Sequence, residues 1–147
     1  MSFGHLNHGK SPLEVEQVTG QMSDIVSFGC AEAVTAGDWV DLDSSQAGEA
    51  RVGTVVQGNA TSLCIGVALE DVSAAQVLAG GAMVRVCVAG YCENVKTTGA
   101  IGSGVAFTAG AAGAVQANVA ATITPVLGVA LEAAAGDTVD CYIFRQL

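Results

Sequence analysis

Basic side chains are scarce. Lys10, Arg51, Arg85, Lys96 and Arg145 are the only five in 147 residues, and they form no cluster. Set against 14 acidic residues, they leave a formal net charge of −9. Displacing counterions from phosphates takes several grouped Lys or Arg. No nucleic acid and no anionic membrane surface is therefore expected as a direct partner. A basic protein surface stays open, as does a plain role for the acidity in solubility. Histidine is rarer still. His5 and His8 have H-x-x-H spacing, but they sit in a Gly-containing stretch with no helical pattern to hold a metal. No run of about 18 apolar residues occurs, so no membrane-spanning helix is expected. The opening MSFGHLNHGK lacks the apolar core of a secretory signal. The five cysteines (Cys30, Cys64, Cys87, Cys92, Cys141) contain no C-x-x-C pair. An odd count in this setting reads as reduced, mostly buried thiols in the cytosol.

Charge of either sign is also sparse, at 13% of residues, about half the usual ~25%. Hydrophobic residues make up 51%. That is more apolar surface than a domain of this size readily hides, so part of it is expected to pack against other subunits.

What is present is a chain of short β-type runs broken by Gly, Ala and Ser. From Ile25 onward these are IVSFGC, WVDL, RVGTVV, LCIGVAL, MVRVCV, YCENV, GVAFT, ATIT, PVLGVAL and TVDCYIF. Their close spacing predicts an all-β fold, a single small β-barrel or sandwich. In MVRVCV, Val84, Val86 and Val88 share one face. In TVDCYIF, Val139, Cys141 and Ile143 oppose Asp140, Tyr142 and Phe144; large groups on both sides predict a strand covered on both. The one helical rival is EDVSAAQVLAGG, a single turn or short helix that Gly80 and Gly81 would end. Residues 1–22 differ in texture and read as an extended N-terminal arm, leaving 23–147 as the β domain. In the arm His5, Leu13, Val15 and Val18 are candidate contacts; Leu13 and Val15 share a face if the segment is extended.

A phrase is written twice: IGVALE at 65–70 and LGVALE at 127–132. Flanking blocks recur in the same order. GDWVDL (37–42) matches GSGVAF (102–107) at an offset of 65, and GAMVRV (81–86) matches GDTVDC (136–141) at 55. This predicts an internal duplication, two copies of one β unit. Gly66, Ala68, Leu69 and Glu70 then correspond to Gly128, Ala130, Leu131 and Glu132. The two glycines allow a bulge or the close passage of another backbone. Ile65, Val67 and Leu69 are expected on one face, and each Glu at a strand end.

No catalytic constellation stands out. Asp38, Asp41 and Asp43 are the densest acidic group; they read as a solvated strand face rather than a metal or acid/base pair. GAIGSG lacks the Lys of a phosphate loop. No cysteine has a neighbouring His or basic partner in sequence that would make a reactive thiolate. If Ala89-Gly90 formed a two-residue hairpin turn, Cys87 would face Cys92 within disulfide reach, although Ala-Gly is a poor turn sequence. Neither a cofactor nor an enzymatic activity is expected.

The run from Ile25 to Phe144 resembles the small capsid cement, or decoration, proteins of tailed bacteriophages. VTAGDWVDL (34–42), IGVALEDVSA (65–74), GAMVRVCVAG (81–90) and LGVALEAAAGDTVDCYI (127–143) carry the resemblance. Gly66, Ala68, Leu69, Glu70, Gly81, Val84, Val86, Val88 and Gly90 match the family pattern of a Gly-x-Ala-Leu-acidic block, a connector and alternating Val ending in Gly. The connector and the arm are both longer than that pattern needs. The resemblance implies a non-enzymatic virion protein, made in the host cytoplasm and located on the outer capsid surface. It further implies a homotrimer that bridges subunits of the major capsid protein. Two other classes fit the same residues: a small β-barrel enzyme or ligand-binding protein with its site between the two repeats, and a tail or fibre component.

Overall fold

The computed structural model describes residues 23–59, 63–118 and 125–146. The proposed arm, including His5, Leu13, Val15 and Val18, lies outside the described residues, as does the ATIT run. Among the described residues nine strands form one sheet: β1 (Ser23–Cys30), β2 (Trp39–Leu42), β3 (Thr54–Gln57), β4 (Cys64–Ala68), β5 (Met83–Lys96), β6 (Ala106–Ala109), β7 (Val115–Ala117), β8 (Gly128–Ala130) and β9 (Thr138–Ile143). The helices among the described residues are α1 (Glu49–Gly53) and α2 (Ala74–Ala79), both short. Ser73 and Gln76 form a capping box at the start of α2, and Gly80 closes it in a conformation with φ of 86°.

The strand order is β1-β3-β2-β4-β5-β9-β8-β6-β7, with β1 also pairing β5. The first five strands thus close on themselves as a barrel. A ring with an odd number of strands cannot be antiparallel throughout, and the parallel step falls between β1 and β3, at Gly29↔Thr54 and Cys30↔Val55. The order β3-β2-β4-β5 is then repeated, outward from β5, as β7-β6-β8-β9. Here the far half of β5 takes the part of β1, and its end meets β7 in a parallel bridge at Thr97↔Val115. β5 is therefore the last strand of the N-terminal unit and the first of the C-terminal unit.

The correspondence holds residue by residue. Val40 pairs with Gly66, and Phe107 with Gly128. Ala68 pairs with Val86, and Ala130 with Cys141. Leu42 pairs with Val55, and Ala109 with Val115. Phe28 pairs with Val84, and Val95 with Val139. Hydrogen bonds outside the ladders recur too. Gly37 N donates to Ala68 O and Gly104 N to Ala130 O, both at 2.8 Å. Leu69 N donates to Arg85 O and Leu131 N to Asp140 O, both at 2.9 Å.

These registers keep the offsets of 62 and 55 but change the first. Gly37 corresponds to Gly104, and Val40 to Phe107, 67 positions on rather than 65. The 65 alignment put glycine letters together; the ladder aligns what pairs with the shared Gly-Val-Ala. The N-terminal unit holds seven extra residues between β2 and β3, where α1 sits, and seven between β4 and β5, where α2 sits.

Each unit has its own core. Phe28, Val40, Val55, Ile65, Val84 and Val86 fill the first. Their counterparts Val95, Phe107, Val115, Leu127, Val139 and Cys141 fill the second. Four expectations are corrected here. MVRVCV and YCENV are one strand rather than two: β5 runs straight through Ala89-Gly90, with Gly90 at φ 96°, so the conditional hairpin does not form, and none of the five cysteines is in a disulfide, in line with the reduced thiols expected. Ile65 does not share a face with Val67. The register shift between Val40 and Asp41 leaves Ile65 as an extra residue on β4, which sends Ile65 into the first core and Val67 into the second. Asp38, Asp41 and Asp43 are not a solvated face but buried, at 0%, 0% and 6% exposure. Finally, β9 is covered on one side only: Tyr142 and Phe144 remain 38% and 42% exposed.

Candidate functional site

The candidate site lies where the two units meet. On the N-terminal unit, the outward side of the sheet carries Trp39 (β2), Val67 (β4) and Cys87 (β5), with Cys64 and Leu69 beside them. All five pack against the second core. Trp39 meets Phe107 edge-on, with ring centroids 6.5 Å apart. Its backbone N–H donates to the carbonyl of Gly113, in the tight turn between β6 and β7, at 2.6 Å. Gly113 N in turn donates to Gly58 O at 2.8 Å.

Asp38 fastens the same seam. One carboxylate oxygen accepts from Thr35 N and Gln57 Nε2, both at 2.9 Å, and the other is paired with Lys96 Nζ at the end of β5. A side chain on Gly113 would overlap Asp38, so the turn closes over the carboxylate only because it carries a glycine. Asp43 accepts from Ser45 N at 2.9 Å, Ser45 Oγ at 2.6 Å and Gln46 Nε2 at 3.2 Å. The Ser45 hydroxyl and amide hold its carboxyl below the usual carboxylate range. The acidic group found in the sequence thus does structural bonding work.

Beside the junction is a cleft of about 440 Å³, lined by Ser23, Ile25, Leu69, Cys87, Tyr91 and Asn94, among others. Its polar groups engage one another. Ser23 Oγ donates to Tyr91 O at 2.7 Å. Tyr91 OH lies 3.2 Å from Glu93 Oε1 and 3.3 Å from Asp140 Oδ2, and Asn94 N donates to Asp140 Oδ1 at 2.9 Å. Burial, then Glu93 and Asp140, push the Tyr91 phenol up to about 12, so it stays protonated. The hydrogen bonding between the Cys87 and Cys92 thiols lowers Cys87 and raises Cys92. Burial pushes Cys64 and Cys141 up to about 12. Among the described residues that line it, the cleft holds a thiol pair and a phenol–carboxylate cluster, with no imidazole or ammonium to activate a nucleophile. Among the described residues no group of three His, Cys, Asp or Glu could hold a metal.

The repeated phrase is split between the two units. A Cβ on Gly66 would overlap the carbonyl oxygen of Cys87; one on Gly128 would overlap that of Tyr142, the counterpart of Cys87. Ala68 and Ala130 are both buried. The phrase then diverges. Leu69 packs against the second core, whereas Leu131 is 48% exposed. Glu70 accepts from Arg85 N at 3.0 Å and Arg85 Nε at 3.2 Å. Glu132 is exposed, and the counterpart of Arg85 on its side is Asp140, which offers it no cation. Sequence reading missed the role of Trp39 as the seam residue, although Trp39 is the chain's single tryptophan.

No family model matches the chain, and no curated protein matches it. Among solved structures, the fold is similar to the N base of the head fibre protein gp8.5 of bacteriophage phi29. The TM-score is 0.58 at 20% identity, over 84% of this chain and 96% of that one.

Proposed function

We propose that the protein is a non-enzymatic structural component of a tailed-phage head, of the cement or decoration type. It binds the outer surface of the capsid as a homotrimer and stabilises the shell by bridging subunits of the major capsid protein. The observation that carries this reading is the likeness to a head-fibre base over nearly the whole of both chains. The cleft supports it as well, because its polar groups are engaged with one another rather than directed at a ligand. In this reading residues 1–22, with His5, Leu13, Val15 and Val18, form the arm that reaches neighbouring shell subunits. An extended segment of that length spans up to roughly 70 Å, and strand addition at a partner's sheet edge would satisfy its backbone groups. The test is to add the full chain, and a chain lacking residues 1–22, to undecorated heads. The full chain is expected to bind stoichiometrically at one class of surface sites in electron micrographs and to raise the temperature at which the heads release DNA. The truncated chain should bind at least about tenfold more weakly. Absence of binding by the full chain sinks the head reading; equal binding by both chains removes the arm from it.

A further inference from the structure

The repeat provides a control within the molecule for judging exposed surface. Trp39, Cys64, Val67, Leu69 and Cys87 face outward from the N-terminal unit, and the C-terminal unit covers all five. By the strand registers, their counterparts on the C-terminal unit are Ala106, Val126, Val129, Leu131 and Tyr142. No described residue covers these to the same degree. Val126 is 37%, Leu131 48% and Tyr142 38% exposed, and Phe144 extends the patch at 42%, its ring 6.4 Å from that of Tyr142. The same sheet face is therefore a buried junction in one unit and an open apolar surface in the other. In a chain this poor in charge, such a surface calls for a partner.

The internal junction also indicates what the partner is. The β6–β7 turn closes against β2 at this junction, where the Trp39 backbone N–H donates to Gly113 O. Its counterpart in the N-terminal unit is the β2–β3 connection, where Gly53 takes the place of Gly113 and α1 fills the extra seven residues. α1 buries none of its residues, and Val52, next to Gly53, is 61% exposed. On the open face Ala106 is only half-buried where its counterpart Trp39 is 1% exposed, and the connection that carries α1 is the longer of the two.

We propose that the outer face of the C-terminal unit is an assembly surface for a second copy of this chain, capped by α1 of that copy in a head-to-tail contact. The inference rests on the self-association in the reading above. It makes the contact between copies a repetition of the contact within each copy. Such a contact is heterologous, with a different surface on each side, and so it does not stop at a twofold dimer; in the homotrimer of the reading above its rotation closes into a ring.

The test uses two variants of the full chain, Val52→Asp and Tyr142→Glu. Both sites are exposed, so each variant should keep its far-ultraviolet circular dichroism and its Trp39 fluorescence. In sedimentation velocity the parent is expected to form a closed oligomer. Each variant alone should be a monomer at concentrations where the parent is fully assembled. Mixed in equal amounts, they retain one intact pair of surfaces between them, the α1 side of the Tyr142 variant and the open face of the Val52 variant. The mixture is expected to give a 1:1 heterodimer that grows no further. A Tyr142→Glu chain that assembles like the parent overturns the proposal, and so does a mixture that stays monomeric; both leave a homotrimer built through another surface. A parent that is monomeric throughout overturns the proposal and the homotrimer together.

Discussion

Gly66 and Gly128 lack side chains because a carbonyl oxygen of the next strand stands where a Cβ would go. The neighbour in each case is ladder backbone, Cys87 or Tyr142, and cannot turn aside as a side-chain tip would. Opening the strands to admit a methyl group would break β4–β5 or β8–β9 pairing. Gly66→Ala and Gly128→Ala are each expected to lower stability by about 3 kcal/mol, at the upper end of overpacking costs, seen as a lower urea midpoint. Gly102→Ala is the control. The nearest atom to its new Cβ is a Val105 side-chain carbon at an ordinary 3.5 Å, and Gly102 does not have positive φ. A cost equal to that of Gly66→Ala would show that loss of glycine as such, not the close strand approach, is responsible. The equal constraint at two distant positions is the residue-scale reason the phrase was visible twice in the sequence.

At the scale of elements, the repeat accounts for most of the fold, and the helices are what it leaves over. Strand runs such as IVSFGC, WVDL and TVDCYIF were legible because alternation and bounding glycines mark them in isolation. MVRVCV and YCENV read as two strands, since Ala89-Gly90 has turn composition; only pairing of one long strand to both β1 and β9 overrides it. The buried aspartates were misread because alternation places a side chain on a face but does not say that a second unit covers that face. α2 was legible from SAAQ and the double glycine, whereas α1, with no cap side chain, was not. The C-terminal unit shows that neither helix is needed for this strand arrangement: the turn Glu132–Gly136 connects its strands without one. Deleting residues 74–80 joins Glu70-Asp71-Val72-Ser73 to Gly81, the length of Glu132-Ala133-Ala134-Ala135-Gly136. α2 buries no residue fully, and only Val77 in it packs against the first core. The shortened chain is expected to fold with the same β dichroism and to lose less than about 2 kcal/mol, the burial of part of one Val. A chain that fails to fold would make α2 a structural member rather than an insertion.

The whole molecule is two units that cannot be separated along the chain, because β5 belongs to both. The N-terminal barrel ends on Met83–Gly90, and the far half of β5 opens the C-terminal unit through Gly90–Lys96. Trp39 reinforces the sharing: it belongs to a β2 strand of one unit but is 1% exposed within the core of the other. The Asp38–Lys96 pair lies on the same seam. Unfolding either unit would therefore strip the outer face from the other and leave a shared strand half paired. This predicts one cooperative transition despite two cores. Trp39, the single tryptophan, reports the seam by fluorescence, while far-ultraviolet dichroism reports the strands of both units. The two curves in urea are expected to coincide. Trp39→Ala removes the seam residue and leaves a cavity against Phe107. Large-to-small changes of this kind cost roughly 3–5 kcal/mol, and the loss should fall on the coupling of the units as well as on their stability. In that variant a dichroism curve in two steps is the expected sign of uncoupling. Non-coincident curves in the parent chain would show that β5 and Trp39 do not bind the two cores into one folding unit.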